Sequence, residues 1–350
     1  MLDLILKARE TVLAGGDLSY DHALTLSGAS DVEIPYLAAS ANEVRAHFVG
    51  DHVESCGLAN IKSGACSENC KFCSQSAHYK TDSPVYPQIG VDEIVRQAGA
   101  AKQMGATEFC LVSSGRGAVD GPEFEAVLEA VRRIRREVPG IFVDCSLGFL
   151  TGEQMARLKE AGIYRNNHNL EASERYFKNV CTTHTHDQRV NHVRMVRDHG
   201  IHPCSGGILG MGETPRDRID LAFELKRIGA DCVPINILNP RRGTPLGDTL
   251  EADGVGATGQ SPLQPLEIIK YIAIYRLILP KATIKIAGGR EVNLRDLQAM
   301  AMQAGANGLV IGNYLTTMGR SPEQDLQMLK DLGFSVETHA AHRRASGVKV

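Results

Sequence analysis

The 350-residue sequence has no tryptophan, and aromatic residues make up 5% of it, which leaves few platforms for stacking although Phe and Tyr remain. It also lacks an excess of either charge. With 38 Lys and Arg against 41 Asp and Glu, the formal net charge is -3, so electrostatics gives no reason to expect nucleic acid or an anionic membrane as a partner. No apolar run approaches a membrane span, and the start, Met1-Leu-Asp-Leu-Ile-Leu-Lys7, lacks a basic region followed by an apolar core and a small-residue cleavage site. These absences predict a cytoplasmic protein that acts on a small molecule. What remains, 43% hydrophobic and 23% charged, is the composition of an ordinary globular chain, long enough for one large barrel or two smaller domains.

Cysteine is the residue present in a telling pattern. There are nine, an odd number placed near apparent strands, which suggests metal ligation in a reducing compartment more than a disulfide framework. The densest group is Cys66-Ser-Glu-Asn-Cys70-Lys-Phe-Cys73, at CxxxCxxC spacing after a strand-like run. Three thiolates this close can hold three irons of a cubane cluster, and no fourth cysteine follows to close the set. A structural zinc or a fully ligated electron-transfer cluster wants four ligands, so the open position is where a small molecule would bind. The rival readings are a zinc knuckle completed by a distant group such as His78, or thiols packed for shape; the spacing favours the open cluster.

Residues 1–55 read as short helices, a cap in which Leu2, Leu4, Ile5, Ala8 and Val12 form an apolar stripe ended by Gly15-Gly16. From Leu58 onward, β-rich runs at 58–64, 108–114, 141–147, 163–170, 201–208, 232–238, 283–289 and 308–312 alternate mostly with helix-like segments. That rhythm predicts a (β/α)8 barrel over residues 56–334. Gly105, Gly162, Gly200, Gly229 and Gly305 fit helix C-caps. The link Glu251–Ser261 reads as a flexible loop at the mouth, and residues 335–350, with His339, His342, Arg343 and Arg344, as a mobile polar tail.

In such barrels reactive groups gather at the carboxyl ends of the strands. Asn167, Asn169 and Glu171 alternate with a period of two, so all three can point inward. Ser205-Gly-Gly-Ile-Leu-Gly-Met-Gly-Glu213 suits close backbone approach to a ligand better than a dinucleotide fingerprint. Cys110, Cys145 and Cys204 lie in three separate strands and converge only if the sheet closes; three inert buried thiols are the plain alternative. Cys56 shares parity with Asn60 and Lys62, and Cys232 shares parity with Asn236, so both can face the deep layer. No role is assigned to Cys181.

The CxxxCxxC loop resembles that of the radical S-adenosylmethionine enzymes. Ser63–Ala77, Asn167–Glu171, Cys204–Thr214, Val233–Asn236, Gly243–Leu246 and Ala287–Glu291 together resemble the biotin synthase family, in the same order from about Leu58 to about Gly333. The resemblance implies a 4Fe-4S cluster on Cys66, Cys70 and Cys73 that chelates S-adenosylmethionine and, on one-electron reduction, gives methionine and a 5'-deoxyadenosyl radical. It implies cofactor contacts from Phe72, Ser113, Asn169, Glu171, Arg189 and Ile208, and contacts to dethiobiotin from Asn167, Asn169, Asn236, Thr316 and Thr317. The family usually carries Asp at the position of Glu171. It further implies a sulfur-donating auxiliary cluster, 2Fe-2S in the family, on Cys110, Cys145 and Cys204. The family's fourth ligand is an arginine, where this chain has Lys285, a poor iron ligand while protonated. Cys56 or Cys232, or both, are expected to replace it and make the centre a thiolate-rich, four-iron cluster.

The implied reaction is insertion of sulfur into dethiobiotin to give biotin, with an external electron donor such as flavodoxin or ferredoxin and a homodimeric assembly. Two alternatives stand beside it. Another radical enzyme on the same scaffold, a maturase or a mutase, would need Cys66, Cys70 and Cys73 but not Cys110, Cys145 and Cys204. A zinc-binding structural module would be colourless and would leave S-adenosylmethionine intact.

Overall fold

The structure, a computed structural model, describes residues 1–252 and 262–336. Most of the expected mouth loop, 253–261, and the polar tail from residue 337 lie outside the described residues.

The strands are β1 (His52–Lys62), β2 (Glu108–Ser113), β3 (Phe142–Ser146), β4 (Arg165–Asn167), β5 (His202–Cys204), β6 (Gly207–Leu209), β7 (Cys232–Ile237), β8 (Thr283–Ile286), β9 (Gly308–Val310) and β10 (Ser335–Val336). They pair in parallel in the order β1-β2-β3-β4-β5-β7-β8-β9, and β9 returns to β1, with Cys56 opposite Val310, so the sheet closes. β5 and β6 are two halves of one stave, both paired with β7. The expected (β/α)8 architecture is therefore the observed one.

Several boundaries differ from the sequence reading. β1 starts at His52, six residues before Leu58, so Cys56 lies within the strand and the helical cap ends sooner. The run 163–170 yields three strand residues; beyond Asn167 the ladder is irregular, and Glu171, at φ 69°, makes an isolated bridge to Gly207. The run 201–208 breaks at Ser205-Gly206. Ser335–Val336, expected to open a free tail, pair with His52–Val53 instead.

Local sequence explains the staves and their spacers. Helix Pro122–Glu137 buries Phe124, Val127, Leu128, Val131 and Ile134 on one stripe and leaves its acidic and basic residues outside. Thr151 with Gln154, Thr185 with Gln188, and Thr214 with Asp217 form reciprocal capping boxes that fix where three helices begin. Gly162 and Gly229 end two of these helices at φ of 96° and 77°, left-handed conformations that favour glycine. At the amino-terminal side, helix Ile34–Phe48 packs on the largely apolar helix Pro265–Ile278. Buried Arg276 there donates to the carbonyls of Gly305, Leu279, Pro280 and Ala282 and to Asn307. Among the described residues no helix is long and apolar enough to cross a membrane.

Candidate active site

A cavity of about 370 Å³ opens at the carboxyl ends of the strands. Its floor includes Cys56, Cys110, Asp144, Cys204 and Lys285; its wall, Asn167, Asn169, Glu171, Ile208 and Asn236; its rim, Phe72, Cys73, Thr316 and Thr317.

Strand pleat decides which thiols reach the floor. Neighbours in register share a face, and Cys110 stands opposite Asp144 while Leu111 stands opposite Cys145. Asp144 therefore occupies the inner position, and Cys145 points into the layer between barrel and helices. There its Sγ lies 3.2 Å from Asn166 Nδ2 and burial pushes its thiol up to about 12. Of Cys110, Cys145 and Cys204, the structure brings the first and third to the cavity and leaves Cys145 outside. Cys56, opposite Glu108, lines the floor. Cys232 stands opposite Cys204 in register, and their thiols pair. Four thiols, from Cys56, Cys110, Cys204 and Cys232, thus meet in the deep layer. Burial raises the thiols of Cys56 and Cys110, a penalty that a bound metal would reverse by taking the thiolate.

Charge at the floor is balanced internally. Lys285 Nζ lies 2.6 Å from Glu108 Oε2, and Arg165 bonds Glu108 and, at 3.1 Å, Glu54. Burial alone would lower the Lys285 ammonium; Cys232 and Glu108 hold it well above its ordinary value. The lysine is committed to an ion pair, which leaves the thiols as the soft donors. Asp144 is pushed well up by burial and by Glu108, and its Oδ1 has no partner. Sequence reasoning missed both: the inward face of Asp144 follows only from cross-strand register, whereas Glu108 shares the parity of Cys110 on β2 and could have been counted.

The CxxxCxxC loop is pinned over the mouth. Cys66 N–H donates to Gln75 O at 3.0 Å, Ala77 N–H to Cys66 O at 2.8 Å and Cys73 N–H to Cys70 O at 2.9 Å. Burial, with Cys66 nearby, pushes the Cys73 thiol up to about 11. Among the described residues, Ala65 and Glu171 are two of the three non-glycine residues with positive φ, at 52° and 69°, strain concentrated at the mouth. All nine cysteines are free, as ligands must be. His78 is not drawn into the group, since its Nε2 bonds Ser67 O at 3.0 Å. Cys181, unassigned from sequence, lies behind the loop with its Sγ 3.3 Å from Asn69 Oδ1.

On the wall, Asn169 Oδ1 accepts from Gly206 N–H at 3.1 Å, and Asn236 Oδ1 from Gly288 N–H at 3.0 Å. Burial raises the Glu171 carboxyl, and its Oε2 is unpartnered, free for a ligand hydroxyl. Arg189, on helix His186–Asp198, does not line the cavity but donates to Asn169 O at 2.6 Å behind the wall. Ser113 does not face the cavity either; Val112 takes that place. Two glycines of the 205–213 run approach protein backbone closely: a Cβ on Gly206 would sit 1.9 Å from Pro234 O, and one on Gly207 2.7 Å from Glu171 O. These two glycines therefore serve packing, and Glu213 caps the run by accepting from the N–H groups of Gly210 and Met211.

Comparison with known proteins bears directly on this arrangement. Residues 60–225 match the Radical SAM superfamily and residues 234–335 the Biotin and Thiamin Synthesis associated domain. A biotin synthase of Geotalea daltonii is 45% identical over 94% of this chain and 97% of its own. The chain belongs to the biotin synthase family. A biotin synthase of Heliobacterium modesticaldum is 46% identical, covering 96% of this chain and 99% of its own. Among solved structures, methylornithine synthase superposes with a TM-score of 0.79 at 20% identity, covering 96% of this chain and 99% of that one. The FeFe-hydrogenase maturase of Carboxydothermus hydrogenoformans does so at 0.74 and 18%, covering 94% and 78%. These last two share the fold. Membership of the biotin synthase family implies the 4Fe-4S cluster and S-adenosylmethionine, and the three free thiols of a loop at the mouth, with the unpartnered Glu171 oxygen in the wall, fit that pair.

Proposed function

We propose that this chain carries out the sulfur-insertion step from dethiobiotin to biotin in the cavity described, with Cys66, Cys70 and Cys73 holding the activating cluster. Three buried thiols, Cys56, Cys110 and Cys204, on the floor of a cavity whose rim carries Cys73 of the CxxxCxxC loop, are the observation that carries the reading. When bound, the loop cluster with S-adenosylmethionine supplies a carbon-centred radical, and the deep cluster supplies sulfur.

The protein's own part is to bind, orient and keep water out. Asn169, Glu171 and Ile208 present two polar groups and one apolar surface suited to an adenosyl moiety, with Phe72 beside them at the rim. Asn167 and Asn236 offer amides to a ureido ring, and Thr316 and Thr317 offer hydroxyls to the carboxylate at the other end. Hydrogen abstraction needs no acid–base pair, so selectivity rests on holding the reacting carbon in line.

For the deep centre we assign Cys56, Cys110, Cys204 and Cys232 as ligands, a soft all-thiolate set that suits a four-iron cluster. Iron and sulfide per chain, with Mössbauer spectra of wild type, Cys56→Ala and Cys232→Ala, test this assignment; one four-iron plus one two-iron cluster in the wild type argues against it. An anaerobic assay with dethiobiotin, S-adenosylmethionine and reductant, read by mass spectrometry for biotin and 5'-deoxyadenosine, tests the activity. An external donor such as flavodoxin or ferredoxin and a homodimer complete the proposal.

A further inference from the structure

Between the cysteines of the loop stands Glu68, buried, and its carboxylate is heavily partnered. It accepts from Thr183 Oγ1 at 2.6 Å and from Arg116 Nη1 at 3.0 Å, and it contacts His184 Nδ1. The other ring nitrogen of His184, Nε2, lies 2.8 Å from Arg189 Nε. An arginine guanidinium only donates, so Nε2 must accept, and Nδ1 must carry the ring proton and donate it to Glu68. One tautomer satisfies both bonds. Arg189 then reaches onward, with Nη1 2.6 Å from Asn169 O and 3.9 Å from Glu171 Oε1.

This tautomer also decides a competing reading. Ligand atoms of Cys70, Cys181 and His184 lie within 4.8 Å of one another, the spacing of a small metal site. The ring nitrogen facing the sulfurs is Nδ1, 3.4 Å from Cys181 Sγ, and it bears the proton while Nε2 is held by Arg189. Metal binding there would need either loss of the Arg189 bond or an imidazolate, so the ring is better used as a link than as a ligand.

We propose that Glu68 and His184 are positioning residues. Through a directed chain, Glu68 carboxylate to His184 to Arg189 to the Asn169–Glu171 wall, they lock the cluster-bearing loop to the cofactor-binding wall. Both ends would then bear on the same small molecule, S-adenosylmethionine, if the loop cysteines hold its cluster and Asn169 and Glu171 take its ribose. His184 packs edge-to-face with Phe149 and tilted against Phe177, ring centroids 5.5 and 5.6 Å away, which fixes the plane in which it can pass the bond on. The inference rests on the proposed S-adenosylmethionine site at the Asn169–Glu171 wall, which Arg189 supports from behind.

The test uses the full chain loaded anaerobically with both clusters. It reads KM for S-adenosylmethionine and kcat from 5'-deoxyadenosine release, iron per chain, and the change that S-adenosylmethionine makes to the electron paramagnetic resonance spectrum of the reduced cluster. His184→Leu keeps volume but removes donor and acceptor, and is expected to raise KM about tenfold or more with a much smaller change in kcat. His184→Gln, whose amide can donate to Glu68 and accept from Arg189, is expected to recover most of the loss. Combining His184→Leu with Arg189→Ala should cost no more than Arg189→Ala alone, because the two act in one chain. If Arg189→Ala weakens binding while His184→Leu leaves KM and the spectral change as in wild type, the relay is overturned and the site assignment survives. If Arg189→Ala leaves KM unchanged, the assignment of Arg189 falls and the proposal with it. Should His184→Leu lose iron, His184→Gln still decides: normal iron with KM as poor as that of Arg189→Ala overturns the relay.

Discussion

Asp144 and Cys145 are neighbours in the chain and stand on opposite sides of β3, and the difference is testable one side chain at a time. Cys145→Ala should leave iron and sulfide content as in wild type and cost about 1–2 kcal/mol, the loss of a buried sulfur and of the partner of Asn166 Nδ2. Cys204→Ala should instead lose the iron of the deep centre; metal analysis and denaturant unfolding of both variants separate the outcomes. Lys285 belongs to the same scale. Its ammonium, 2.6 Å from Glu108, answers a carboxylate that is fully buried. Lys285→Met should therefore destabilise by about 3 kcal/mol or more, by leaving Glu108 with Arg165 alone, and should not by itself strip iron. A large loss of iron with unchanged unfolding would show that the lysine is a ligand after all. The parity of Cys56 and Cys232 with known inward residues could be counted along one strand. Whether Asp144 or Cys145 faces inward could not, because that depends on how β3 sits against β2.

At the scale of elements, the broken stave β5–β6 is where sequence and structure differ most. The glycine at its break, Gly206, is required by packing, because β7 comes too close for a side chain. Gly206→Ala would drive a Cβ to 1.9 Å from Pro234 O, so it should destabilise by more than about 3 kcal/mol or fail to yield soluble protein, measured by urea unfolding. A Thr185→Ala change, at the start of the helix that carries Arg189, removes a capping box; it should cost about 1 kcal/mol and leave the cofactor affinity nearly untouched. Helix starts and ends were legible because capping residues act within one turn. Strand ends were less so: β4 has three residues where a longer run was expected, since beyond Asn167 the ladder becomes irregular, with Glu171 at φ 69° bridging Gly207.

For the whole molecule, a buried group of histidines sets a pH limit. His168 and His192 stack at 4.3 Å, and the Nε2 of each lacks a partner. Burial holds His168 well below its ordinary value and lowers His192 from 6.5 to about 4. Above pH 6.5 neither the folded nor the unfolded chain binds the proton, and this source of instability is absent. As pH falls from 6.5 to about 4, the unfolded chain takes a proton that the folded His192 refuses, so stability drops, by about 3 kcal/mol for this group. His192→Phe should flatten the stability–pH slope in that window by about 1.4 kcal/mol per pH unit, read from denaturant unfolding across the range. Such a closed, internally neutralised barrel also shows how far a sequence speaks for itself. Spacing along the chain determined the eight-stave rhythm, the CxxxCxxC loop and the inward parity of residues on any one strand, because all three depend on contacts a few residues apart. Which thiols share the deep layer, why Lys285 is held by Glu108, and how Glu68 reaches Arg189 were decided only when the sheet closed. Those relations join residues 28 to 177 positions apart, and their distances are set by cross-strand register, which no local pattern encodes.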